Sequence, residues 1–74
     1  MNKGPYGVAI FESVYQTLMS EKIMKENNFD YKIIPVPRHI SSDCGVCLRF
    51  SADMQDKVKE VIANKVDILE MHFL

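Results

Sequence analysis

The sequence predicts an α+β fold, a ferredoxin-like split βαβ sandwich with a four-stranded antiparallel sheet and two helices on one face. The main observation is that strand-like and helix-like patterns follow one another in the order β-α-β-β-α-β. Right-handed crossovers would place both helices on the same side of the sheet. In this topology we expect the first and third strands to form the central pair.

Composition narrows the classes of function. The 74 residues have room for one domain, 1–74, and the net charge of −1 with mixed signs gives no indication of a nucleic-acid or polybasic membrane surface. No apolar run is long enough to cross a membrane, and "MNKGPYG" lacks the apolar stretch of a signal peptide. Two cysteines without an export signal then predict a reducing, cytoplasmic location.

The first half of the chain predicts a strand and a helix. "YGVAIF" (6–11) combines small, apolar and aromatic residues, as central strands do. Residues 12–28 are rich in helix formers and end at Asn27 and Asn28, which favour a helix stop. The helix is apolar on two sides, so we expect one side to pack on the sheet and the other to be available to a partner. One side carries Val14, Tyr15, Leu18 and Met19, and the other carries Thr17, Ser20, Ile23 and Met24.

The middle of the chain predicts two strands joined by a loop. Residues 30–37 form a strand that ends where its prolines remove hydrogen-bond donors, and residues 38–43 form the loop. Residues 44–50 alternate as a strand does. Val46, Leu48 and Phe50 share one face, while Cys47 and Arg49 lie on the face that the helices leave open.

The last part of the chain predicts a helix and a final strand. Ser51 is a good N-cap residue, with Asp53 in the first turn of a helix over 52–64. Residues 66–74 then form the fourth strand. The helix has an apolar stripe of Met54, Val58, Val61 and Ile62, and the strand places Leu69, Met71 and Phe73 on one face.

The segment "PVPRHISSDCGVC" (35–47) holds most of the chemically useful groups. Connecting loops are usually built from Gly, Asn, Asp and Ser, whereas this one adds two cysteines, an arginine and a histidine. Ser41 and Ser42 can orient the loop through hydroxyl-to-backbone hydrogen bonds. The simplest interpretation is that the prolines, serines and glycine only shape a turn, with Cys44 as a small buried residue.

A second interpretation makes Cys44 a nucleophilic thiol. Gly45 would let backbone approach closely and expose neighbouring N–H groups. Positive charge on Arg38 and His39 would favour the thiolate. The adjacent Asp43 acts in the opposite direction, because a carboxylate raises the pKa of a neighbouring thiol.

Two further interpretations use both cysteines. Cys44 and Cys47 could form a redox dithiol, but in a regular strand their side chains point to opposite faces about 10 Å apart, too far for a disulfide unless Gly45 bends the chain. Zinc could be bound by both cysteines with His39 and His72, although their spacing matches no standard zinc pattern. Neither histidine needs a special role to be explained.

The residues also resemble a known family. "IPVPRHISSDCGVCLRF", preceded by "SEKIMKENNFDYKI", is similar to the small bacterial proteins described as selenium/sulfur (Se/S) carrier protein-like. Those proteins have a helix resembling A-E-K-L-L-K and then a segment resembling P-V-P-R-x-I-S-S-x-C-G before a strand. The similarity extends over most of the chain, and its most specific positions are 37–38, 40–42 and 44–45.

The resemblance implies a carrier rather than a stand-alone enzyme, working without a cofactor or a bound metal. Cys44 matches the motif cysteine, which would hold a persulfide or selenopersulfide, and Arg38 matches the arginine that would stabilise the anion. Its partners would be a sulfur or selenium donor of the cysteine desulfurase type and an acceptor protein. Ser41, Ser42 and Gly45 match loop positions of the motif, His39 falls on a variable position, and Cys47 lies beyond it.

Two other classes of function remain open. One is a thiol redox protein that uses Cys44 and Cys47. The other is a non-catalytic interaction module that uses the open sheet face and the second apolar side of the first helix. By analogy with other small sheets, the open face also suggests a homodimer.

Overall fold

A computed structural model of the chain describes residues 5–40 and 45–74. In these residues the predicted element order is confirmed, as a ferredoxin-like α+β fold with one four-stranded antiparallel sheet. The strand order is β2-β3-β1-β4, so the first and third strands are the central pair, as expected. The elements are β1 (Tyr6–Ile10), α1 (Val14–Glu26), β2 (Tyr31–Pro35), β3 (Val46–Ser51), a 3₁₀ turn (Ala52–Met54), α2 (Gln55–Ala63) and β4 (Glu70–Phe73).

The two helices and the sheet enclose the main core. Its centre is the β1–β3 pair, where Ala9 lies opposite Leu48 and Gly7 lies opposite Phe50. A Cβ atom on Gly7 would lie 2.8 Å from the Phe50 ring, so the glycine makes room for that ring. The buried residues of this core are Ala9, Phe11, Ile23, Met24, Leu48, Phe50, Val58, Ile62 and Val66.

Helix α1 has well-defined ends. It begins two residues later than predicted, after Ser13, because the Ser13 hydroxyl accepts a hydrogen bond from the Gln16 backbone N–H at 3.3 Å. It stops where the pattern predicted, because the Asn27 side chain donates to the Ile23 carbonyl at 2.9 Å and Asn28 adopts a positive φ of 59°.

The prediction that α1 is apolar on two sides is confirmed. The inner side, which contains Thr17, Ser20, Ile23 and Met24, is buried. The outer side forms an exposed apolar stripe, which we call the α1 stripe. Its members are Val14 (48% exposed), Tyr15 (71%), Leu18 (49%) and Met19 (39%).

The region around α2 differs from the prediction at its boundaries. Ser51 precedes the 3₁₀ turn, but its side chain makes no capping hydrogen bond, and the α-helix begins only at Gln55. The reason is that strand pairing continues to this point, with the Ala52 N–H bonded to the Pro5 carbonyl at 3.0 Å. The predicted stripe of α2 is confirmed, since Val58 and Ile62 are buried in the core and Met54 and Val61 pack against it.

The last strand is shorter than predicted. Val66 bonds to the Ile62 carbonyl at the end of α2 and lies in the core, so pairing with β1 as a strand starts only at Glu70. Of the residues predicted to share a face, Met71 packs on the core, whereas Leu69 and Phe73 are exposed.

The face of the sheet opposite the helices is less open than expected. Cys47 and Arg49 do lie on it, opposite Ile34 and Lys32 of β2. At the end of the sheet near residues 36–40, however, this face carries a second buried cluster, which corrects the prediction of an open face. The second cluster consists of Val8, Ile10, Ile40 and Cys47, with Ile34, Val36 and Leu74 packed against it.

Cys47 shares the second cluster with Ile40, which is 6% exposed, so we predict that the accessibility of Cys47 depends on Ile40. In a Cys44→Ser background we expect Ile40→Ala to accelerate alkylation of Cys47 about tenfold or more. Truncating a buried Ile costs roughly 2 kcal/mol or more, and about 1.4 kcal/mol is a factor of ten in the open population. The measurement is the alkylation rate, read by intact mass.

Val58→Ala is the matched control, because it weakens the other core and leaves Ile40 in place. Equal acceleration by both substitutions would show that Cys47 reacts through global unfolding, and would contradict a local cover by Ile40.

Candidate functional site

The chain between β2 and β3 is fixed at both ends. The Val36 N–H donates to the Gly45 carbonyl at 3.1 Å, which extends the β2–β3 ladder one step beyond the Pro35–Val46 pair. Within the loop, the Ile40 N–H donates to the Pro37 carbonyl at 3.0 Å and closes a turn. The buried Ile40 side chain then attaches this turn to the sheet.

Gly45 has a conformational role. Its φ of +85° lies in the region that residues with a Cβ rarely adopt, and open space surrounds the position where a Cβ would be. Gly45 is therefore required by the direction of the backbone as the loop enters β3, and the described residues show no close contact at its α-carbon. The positive φ is a second reason for glycine at this position, and the expectation that it permits a close backbone approach stays a prediction.

The turn at residues 37–40 presents two side chains to solvent. Arg38 and His39 are both exposed, and the described part of the chain gives neither of them a salt bridge. A guanidinium without a carboxylate partner can interact with an anion formed nearby. Arg38 and His39 are therefore placed where the sequence predicted them, on the loop and accessible.

Cys44, Ser41 and Ser42 lie outside the described residues, as does Asp43. The roles predicted for them stay predictions. The described residues do define the two ends of this segment. Ile40 on one side is buried against the sheet, and Gly45 on the other is bonded to Val36.

Cys47 lies in a different environment from the loop side chains. It is fully buried on β3, opposite Ile34, and belongs to the second cluster together with Ile10 and Ile40. A buried cysteine in apolar surroundings behaves mainly as a small hydrophobic residue. For Cys47 to exchange disulfides with a partner, the cover formed by Ile40 would first have to open.

The proposed zinc ligands that the structure describes are not grouped. His72 lies on β4, opposite Val8 of β1, and its ring is 2.7 Å from the Glu70 carboxylate. Cys47 lies on β3, so strand β1 separates it from His72. Within residues 5–40 and 45–74, no three or more His, Cys, Asp or Glu side chains come together as a metal site would require.

Sequence reasoning missed a group of side chains at the other end of the sheet. Lys32 and Arg49 lie directly opposite one another on β2 and β3, and the Arg49 guanidinium carbon is 4.1 Å from the centre of the Tyr6 ring. Alternation placed Arg49 on the correct face. The position of Lys32 opposite Arg49 could not be predicted in the same way, because it depends on the register between β2 and β3.

One titratable group near this end has a perturbed pKa. The Tyr31 hydroxyl donates a hydrogen bond to the Glu21 carboxylate of α1 at 2.9 Å. Desolvation, followed by this hydrogen bond and the negative charge of Glu21, raises the pKa of Tyr31 above its ordinary value. Through this hydrogen bond the Tyr31 hydroxyl joins β2 to α1.

The surface lacks a deep pocket among the described residues. One shallow concavity of the described residues lies at the Tyr6 end of the sheet. None of the described helices is long and apolar enough to cross a membrane.

Comparison with known proteins identifies the family. The model of the family described as "Putative Se/S carrier protein-like" matches residues 6–72. No curated protein and no solved structure gives a significant match. The matched range runs from the start of β1 into β4 and includes the whole loop. The chain therefore belongs to the Se/S carrier protein-like family.

Proposed function

We propose that this protein carries sulfur or selenium on Cys44, as a persulfide or selenopersulfide, and relays it between partner proteins. The observation that carries the proposal is the family match over residues 6–72. The geometry agrees with it, since the cysteine lies in sequence between two fixed points, Ile40 and Gly45. A carrier also needs no enclosed pocket, because its substrate is delivered by a protein.

The transfer step conserves atoms and electrons. The Cys44 thiolate attacks the terminal sulfur of a donor persulfide, a new S–S bond forms on Cys44, and the S–S bond of the donor breaks. The donor leaves as a thiolate, and the proton of the persulfide moves with the transferred sulfur. An acceptor nucleophile then takes the terminal sulfur, and Cys44 leaves as a thiolate. The same exchange with a terminal selenium gives a selenopersulfide.

The loop residues have supporting roles in this proposal. Arg38, which is exposed, stabilises the thiolate and the persulfide anion, and His39 adds positive charge when it is protonated. Ser41 and Ser42 hold the loop through hydroxyl-to-backbone hydrogen bonds. Gly45 sets the direction of the backbone as it enters β3.

We propose two protein partners, a donor and an acceptor, on the basis of the family match. The donor is a protein of the cysteine desulfurase type, and the acceptor is a second protein that consumes the sulfur or selenium. We propose that the reaction takes place in the reducing cytoplasm, where Cys44 and Cys47 both remain thiols. The chain then acts as a single Se/S carrier-like domain. The protein is then a stoichiometric participant, and the exchange requires neither a cofactor nor a metal.

The α1 stripe is the surface that we propose for protein contacts. It contains Val14, Tyr15, Leu18 and Met19, which are four of the seven large hydrophobic residues found exposed in the described chain. Helix α1 follows β1 at the end of the sheet where the β2–β3 loop also lies, because β1 and β3 are antiparallel and Ala9, near the end of β1, lies opposite Leu48, near the start of β3. If a homodimer forms, we expect the α1 stripe to form it, because the apolar part of the opposite sheet face is buried.

The first test is transfer of labelled sulfur from a cysteine desulfurase loaded with ³⁵S-cysteine. We expect the parent to gain one sulfur atom, Cys44→Ser to gain almost none, and the matched control Cys47→Ser to keep most of the transfer, because Cys47 is buried. Intact mass and label released by a reductant measure the transfer. Equal labelling of the parent and Cys44→Ser would refute the carrier function.

A second test concerns Arg38. Replacing it by Gln removes a positive charge, so we expect the pKa of the Cys44 thiol to rise and its alkylation rate at pH 7 to fall roughly threefold to tenfold. The pH dependence of alkylation in a Cys47→Ser background measures this change. Lys57→Gln on α2 removes an equally exposed charge away from the loop and serves as the control. A similar loss in both variants would assign the effect to net charge alone.

The exposed α1 stripe also supports a second candidate function, a non-catalytic interaction module. That function predicts ordinary thiol reactivity at Cys44 and unchanged partner binding in Cys44→Ala, with binding lost in Leu18→Glu. The carrier function predicts that Leu18→Glu weakens docking of the donor while direct alkylation of Cys44 stays at the parent rate. The two functions are therefore separated by the reactivity of the thiol.

A further inference from the structure

A shallow concavity of about 400 Å³ lies at the end of the sheet opposite the β2–β3 loop. It forms where β1 and β2 begin and β3 ends, since Tyr6 lies opposite Ser51 and Tyr31 lies opposite Phe50. Pro35, where β2 meets the loop, is four residues from Tyr31, which corresponds to about 13 Å along a strand. This concavity is therefore separate from the carrier loop.

Two positive charges meet beside this concavity. Lys32 and Arg49 are direct cross-strand neighbours on the face opposite the helices. Like charges in this arrangement destabilise a sheet, and the described residues provide no salt bridge to a carboxylate for either side chain. The arrangement is unfavourable for the folded chain alone, and a bound anion would relieve it.

The guanidinium of Arg49 is held in position. It lies over the Tyr6 ring at 4.1 Å, within the range of a cation–π interaction, and the residue is half-buried. A stacked guanidinium keeps the N–H groups at its edge available, and these match carboxylate and phosphate oxygens in pairs. Ser51 lines the same concavity and adds a hydroxyl.

From these contacts we propose that Lys32 and Arg49 form a binding site for a small oxyanion, a carboxylate or phosphate group. Arg49 donates two hydrogen bonds from its fork, and Lys32 supplies the second positive charge. The described residues lining the concavity include one carboxylate, Asp30, which is exposed at its rim. The negative charge of Asp30 opposes anion binding, so removing this charge should strengthen binding, whereas removing the charge of Lys32 or Arg49 should weaken it.

The test is a ¹H–¹⁵N NMR titration with inorganic phosphate and, in a separate arm, with acetate, at constant ionic strength maintained with NaCl. We expect saturable shifts of the Arg49 Nε–H and of amides in β2 and β3, with a Kd on the order of millimolar for an open site. Binding in the phosphate arm alone identifies a tetrahedral oxyanion. Binding in both arms identifies a site for any oxyanion.

Substitutions show which residues bind the oxyanion. Arg49→Gln and Lys32→Gln should each weaken binding, Arg49→Gln by about tenfold or more because charge-assisted hydrogen bonds are lost. Asp30→Asn should strengthen binding, and Lys57→Gln on α2 should leave it within about twofold of the parent. Chemical-shift dispersion and the Tm of each variant confirm that it is folded.

Three results would overturn the proposal. They are shifts that NaCl alone reproduces, a titration with no saturation in either arm, or equal weakening by Lys32→Gln and the control Lys57→Gln. Sulfur transfer through Cys44 is measured separately, so failure of this oxyanion site and failure of the carrier function give different results.

Discussion

The pairing of β1 with β3 is the contact on which the rest of the structure depends. These strands are the two inner ones of the sheet, and the residues that alternate along them are buried towards both faces. Ala9 and Leu48 face the helices, while Val8 and Cys47 belong to the second cluster on the other side. Because both faces are covered, a shift of one residue in register would exchange the two clusters, and the register is therefore strongly fixed. The loop enters this inner pair directly through β3.

This constraint gives Cys47 a buried environment on β3, whereas Cys44 lies outside the described residues. Cys47 is held by the strand inside the second cluster, which also contains Ile40. Cys44 precedes Gly45, whose positive φ marks the place where the strand geometry ends. The same short segment thus supplies a packing residue on the strand and a candidate nucleophile in the loop. Ile40 connects the strand and the loop. Its side chain belongs to the second cluster, and its N–H closes the turn that carries Arg38.

The sequence predicted those features that depend on local periodicity. Alternation in β3 placed Leu48 and Arg49 on opposite faces, and the two apolar sides of α1 are found as expected, one buried and one exposed. Features that depend on contacts distant in sequence could not be found in this way. The burial of Ile40 against the sheet and the opposition of Lys32 and Arg49 require the fold and its register. The starts of α2 and β4 differ from the prediction for a similar reason. The hydrogen bond between Ala52 and Pro5 delays the start of α2, and the packing of Val66 in the core delays the start of β4.

The distribution of charge also shows why composition gave little information about binding. The chain has a net charge of −1 with mixed signs, yet Lys32 and Arg49 lie side by side on the sheet without a salt bridge among the described residues, and a third cation, Arg38, lies on the loop. At physiological salt, screening limits the range over which each charge acts to a Debye length of about 8 Å. Arg38 and the Lys32–Arg49 pair lie at opposite ends of strands β2 and β3, so each acts on its own surroundings. An anion near the loop is therefore affected by Arg38, while the sheet pair remains available for a separate oxyanion, and a net charge close to zero is compatible with both.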